Sequence, residues 1–157
     1  FVYLGNLIGS LFVSALFVYG HIPGLYDGLL AQNMVNTAVT KVSLSFSEVF
    51  FRGTLCNVMV CVAVWMGMSA THVSGKILAV YPPISAFVLC GFEHCVANMF
   101  YIPAGMMTAS AYGIAAEGLN IGTFILNNLI PATIGNIFGG VIVVGFLYWY
   151  LFLREKN

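Results

Sequence analysis

Charge is what this sequence has least of. Only 6% of its 157 residues are Asp, Glu, Lys or Arg, and the five basic and five acidic residues cancel at pH 7. A soluble domain carries about 25% charged and about 45–50% apolar residues, whereas here 61% are hydrophobic. So little charge cannot solvate a chain of 17.0 kDa, and a water-soluble enzyme is excluded. The balanced signs leave no long-range field for a polyanion, so no nucleic acid is expected as a partner. Cysteine pairing is missing too. Cys56, Cys61, Cys90 and Cys95 lie in apolar stretches without CxxC spacing and read as free buried thiols rather than a disulfide framework or metal site. No H-E-x-x-H pattern, Gly-rich phosphate loop or serine nucleophile elbow occurs, so neither a metal nor a cofactor is expected.

What the sequence does have is apolar length. Mean hydropathy is +0.98, and the chain has room for about four or five crossings of roughly 20 residues. The apolar runs predict an all-α polytopic membrane protein with spans over about 1–21, 49–70, 76–113 and 131–153. The first stops at Ile22-Pro23-Gly24, a strong breaker. The second has Glu48 where a carboxylate suits the helix dipole. The last begins at Pro131, a residue suited to a first helical position, and stops before Arg154-Glu155-Lys156. Stretches 29–47 and 121–129 read as short interfacial pieces. The chain opens inside an apolar run, Phe1-Val2-Tyr3-Leu4, without initiator Met, basic flank or cleavage pattern, so it reads as the C-terminal part of a longer protein. Lys76, Arg154 and Lys156 fall on one side and Lys41 and Arg52 on the other, which predicts a cytoplasmic C-terminus.

The first and last spans share a pattern. Leu4-Gly5-Asn6-Leu7-Ile8-Gly9 matches Ile134-Gly135-Asn136-Ile137-Phe138-Gly139. Small residues at this spacing let helix backbones approach closely in lipid, so packing alone explains either copy. The copies are three crossings apart and so run in opposite directions, as in an inverted-topology repeat. A repeat of three helices implies that the visible spans are the last four of six.

The run 76–113 is too long for one ordinary crossing and holds the chemistry. Pro82-Pro83 and Gly91 predict a helix that breaks and restarts before the polar pair Glu93-His94. Broken helices persist at membrane depth only where they line a cavity or are covered by protein. A charge at the bilayer centre costs about 2.5–3.5 kcal/mol on insertion scales, so His94 reads as functional rather than as a packing histidine. Glu93 and Gly91 read as structural support of the break. Asn98, four residues after His94, shares its face on a continuous helix, and alone reads as interhelical glue. On the same footing Phe87 reads as core packing, and Lys41, at the end of a mixed stretch, as a solvated loop cation.

Two runs change that weighing. Phe51-Arg52-Gly53-Thr54-Leu55-Cys56-Asn57 and Gly91-Phe92-Glu93-His94, the latter followed by Ala97-Asn98-Met99-Phe100 and Ile102-Pro103, resemble the formate/nitrite transporter family. With the Gly-Asn repeat and the span order, the resemblance covers essentially the whole chain. It implies an aquaporin-like six-helix fold of two inverted halves, assembled as a homopentamer with a pore in each protomer. By motif, His94 resembles the central pore histidine and Phe87 the aromatic constriction. Asn57 and Asn98 resemble polar residues near the pore centre, and Lys41 resembles a lysine of the pore vestibule.

The implied function is passage of a small monovalent anion, or its conjugate weak acid, across a bacterial inner or cell membrane. Formate, nitrite and hydrosulfide are the substrates in view. A neutral-solute channel of aquaporin type is the alternative, although its Asn-Pro-Ala signature is absent. A membrane-embedded enzyme using Glu93 and His94 as acid and base lacks a nucleophile or metal constellation.

Overall fold

The computed structural model describes residues 1–154, so Lys156 of the predicted charge asymmetry lies outside the described residues. Six principal helices follow in order: α1 (Val2–Tyr19), α2 (Leu29–Ser43), α3 (Phe46–Ser69), α4 (Val73–Leu89), α5 (Cys95–Tyr112) and α6 (Ile121–Leu153). No strand occurs among the described residues. Helices α1, α3 and α6 are long and apolar enough to cross a membrane. Leu4, Ile8 and Phe12 of α1, and Ile134, Ile137 and Val141 of α6, are exposed. Apolar faces this extensive suit acyl chains and not water.

Two expectations about helix ends are corrected. Helix α6 does not start at Pro131. Asn120 Oδ1 accepts from the Thr123 amide at 3.0 Å, and Thr123 Oγ1 accepts from the Asn120 amide at 3.1 Å. This reciprocal cap starts the helix at Ile121, so the piece predicted as separate at 121–129 is its first part. Pro131 then lies inside the helix, just after a π-helical stretch at Phe124–Leu129. The wider turn there relieves the clash between a proline ring and the carbonyl four residues back. Nor do Pro82 and Pro83 break α4, which runs through both and ends at Leu89. Each removes one backbone donor, a loss that membrane helices tolerate. The break comes later, at residues 90–94, so the polar pair lies within it and not after the restart.

The described chain forms two compact units. In the first, Phe1–Phe46 with Cys95–Ile130, both α1 and α2 pack on α5. Ala31, Val35, Ala38 and Val42 form a fully buried stripe on α2 at helical spacing. Gly105 of α5 abuts Ala38, and a Cβ there would collide with the alanine methyl. Phe17 and Phe100 meet edge to face with ring centroids 5.9 Å apart.

The second unit holds Ser47–His94 and the chain from Pro131 onward. Its packing depends on glycines. Gly53 of α3 faces the Ala132 carbonyl, while Gly135 and Gly139 of α6 lie against the backbone of Phe50 and Thr54. With no hydrophobic drive between helices in lipid, this close approach supplies the van der Waals contact that holds them. Farther along, Trp65 stacks on Tyr148 at a centroid distance of 3.6 Å. The matching glycines of α1, Gly5 and Gly9, have open space where a side chain would stand.

A Cβ on Gly135 would land on the Phe50 carbonyl oxygen, a backbone atom that cannot swing aside. Gly135→Ala is therefore expected to cost about 1–3 kcal/mol and to lower the thermal midpoint of the detergent-solubilised protein. An unchanged midpoint would contradict the glycine contact.

Candidate functional site

The interruption after α4 has a local cause. Gly91 adopts φ 65°, the left-handed region that side chains with a Cβ disfavour. The Gly91 amide donates to the Val88 carbonyl at 3.1 Å, and the Phe92 amide donates to the Phe87 carbonyl at 3.1 Å. These two bonds form a Schellman motif, which satisfies carbonyls left over at the end of a helix. The chain then runs non-helically through Phe92-Glu93-His94 before α5 begins at Cys95.

One helical side chain of the second unit, Asn136, reaches this break, and Asn57 supports it. Asn136 Nδ2 donates to the carbonyl of Glu93 and to that of Gly53, both at 2.9 Å. Asn57 Nδ2 donates to the Asn136 carbonyl at 2.6 Å. A Cβ on Gly140 would collide with the Asn57 amide, so glycine there leaves room for it. Glu93 is buried and His94 half-buried. The rings of Phe87 and His94 face each other across the break, with centroids 6.0 Å apart and planes inclined by 37°. A continuous helix would have put them on one face; the Schellman turn brings them together instead.

Lys41 and Asn98 belong to the first unit. Lys41 sits in the last turn of α2, where a cation complements the helix dipole, so it is helical rather than a loop cation. Its Nζ lies 5.8 Å from the centre of the Tyr101 ring. Asn98 is fully buried and its Nδ2 donates to Asn128 Oδ1 at 2.7 Å, joining α5 to α6. His94 precedes α5, so the helical face it was expected to share with Asn98 does not exist.

Sequence reasoning missed Asn127, Asn128 and the bonding role of Asn136. The signal was present: amides inside apolar runs demand partners in lipid. The sequence alone does not say which carbonyls they reach. No group of three His, Cys, Asp or Glu able to hold a metal occurs among the described residues.

Three helices are apolar and long enough to cross a membrane, and a histidine and an aromatic ring meet at the break that follows α4. Residues 1–150 match the family described as formate/nitrite transporter, and the chain belongs to that family. It is 42% identical over 161 residues to the formate channel FocA of Haemophilus influenzae, covering 96% of this chain and 57% of the relative. It is 41% identical over 168 residues to FocA of Escherichia coli K12, covering 99% of this chain and 59% of the relative. A solved structure described as a pentameric formate channel with formate bound superposes with TM-score 0.87 at 36% identity, over 98% of this chain and 64% of that one. An FNT family ion channel gives TM-score 0.80 at 32% identity, over 94% and 56% respectively. The chain thus spans less than two thirds of each of these proteins. It is an integral membrane protein of a channel family, and the enzyme reading falls.

Replacing Asn136 with Leu keeps its bulk and deletes both donated bonds. The buried Glu93 and Gly53 carbonyls then lose a donor, which is expected to cost about 1–3 kcal/mol and to lower the thermal midpoint in detergent. An unaltered midpoint would show that the break is held by other means.

Proposed function

We propose that this chain supplies the C-terminal part of a pore for a small monovalent anion, with formate as the first substrate. The pore is repeated in each protomer of a homopentamer in a bacterial inner or cell membrane. The formate channels among the relatives support this substrate, and likeness to a pentameric formate channel supports the assembly. Nitrite and hydrosulfide are the other monovalent anions in view. Two inverted three-helix halves, in an aquaporin-like arrangement, account for the Gly-Asn repeat. Under that symmetry the open face at Gly5 and Gly9 receives an upstream counterpart of α3.

The Phe87–His94 pair carries the reading: an apolar ring and a titratable ring 6.0 Å apart at a break in a span. Lys41 offers a fixed positive charge that concentrates anions in the vestibule. At the Phe87 constriction a bare anion meets a steep desolvation cost. A proton shared through His94 turns the anion into a neutral weak acid that passes more easily. An imidazole suits this task because its titration lies near physiological pH. By their resemblance to the family's polar pore residues, Asn57 and Asn98 are assigned to the pore, and Gly91 and Glu93 to support of the break.

Formate, nitrite and hydrosulfide fluxes into liposomes containing the full-length protein test this account. His94→Ala is expected to cut formate flux at least about tenfold, since one lost proton-transfer group is worth about 10²-fold or more. Formate flux unchanged by the substitution removes His94 from the mechanism.

A further inference from the structure

Helix α2 ends at Ser43, and the next residue, Leu44, is extended, with φ −66° and ψ 146°. A helix leaves its last four carbonyls without a partner of its own. Two of these four are met from α6. Asn128 Nδ2 donates to the Lys41 carbonyl at 2.9 Å, and Asn127 Nδ2 donates to the Val42 carbonyl at 3.2 Å. Asn128 is itself held, because its Oδ1 accepts from Asn98 Nδ2 at 2.7 Å. Asn98 and Asn128 are both fully buried, where breaking a polar pair is costly.

This chain of amides ends on the residue that bears the charge. Lys41 has its backbone fixed by α6, and its ammonium lies over Tyr101 of α5. Tyr101 is three residues beyond Asn98, so the same helix holds both ends of the arrangement. We infer that Asn128, assisted by Asn127, is a positioning residue that sets where the Lys41 ammonium stands and so how strongly the vestibule draws in anions. The inference rests on the proposed anion-attracting role of Lys41. A charge acts on an approaching ion according to its distance, and a loosened last turn of α2 moves that charge.

The test is a double-mutant cycle in the full-length protein, reading the half-saturation concentration and the maximal rate of formate flux in liposomes. Lys41→Ala and Asn128→Ala are each expected to raise half-saturation about three- to tenfold, the scale of modest electrostatic focusing. In the Lys41→Ala background, Asn128→Ala should add nothing. A merely structural role lowers the maximal rate through lost protein and leaves half-saturation where it was. That result, or an equal rise in both backgrounds, overturns the inference while Lys41 keeps its role. If Lys41→Ala alone leaves half-saturation unchanged, the reading of Lys41 fails and this one fails with it. Should Asn128→Ala not fold, Asn127→Ala at an exposed position is read in the same way. A smaller rise is expected from it, and no rise overturns the inference.

Discussion

One side-chain amide ties the break after α4 to two helices. In the hydrocarbon region each backbone polar group without a partner costs several kcal/mol, so a helix that stops partway needs substitutes for its lost bonds. Gly91 provides part of the answer by folding the end of α4 back on its own carbonyls. Asn136 provides another part, binding the Glu93 carbonyl inside the break and the Gly53 carbonyl on α3 with one nitrogen. Phe87 and His94 face each other because the segment between them is held in this way.

The amide reaches both carbonyls only because α3 and α6 lie so close together. Gly53, Gly135 and Gly139 remove the side chains that would keep the two backbones apart. The apolar, glycine-rich composition is therefore more than a mark of membrane residence. It sets the spacing at which Asn57 and Asn136 reach across. The first unit uses the same means with different residues: Asn98, Asn127 and Asn128 tie α5 and α6 to one another and to the end of α2.

Much of this architecture was legible in the residues. Composition and apolar runs placed the chain in a bilayer, and Gly91 marked the interruption because left-handed backbone favours glycine. The motifs of α3 and of the break pointed to the family that residues 1–150 match. Other features were not legible, for physical reasons. Pro131 looked like a helix start, but the Asn120–Thr123 cap began α6 earlier and a π-helical stretch accommodated the proline. Pro82-Pro83 looked like a breaker, yet α4 runs through both. The meeting of Phe87 with His94, and the targets of the asparagine amides, depend on turn geometry and helix spacing that no local pattern encodes.

The proposed pore requires that a permeating solute reach His94 through a passage open to solute rather than find it sealed in protein or facing lipid. Thiol accessibility tests this most directly, in the full-length protein with its native cysteines replaced and His94→Cys introduced. A small neutral reagent, methyl methanethiosulfonate, applied in liposomes should modify this thiol, and formate should slow the modification. A thiol that never reacts, at any formate concentration, would contradict the account.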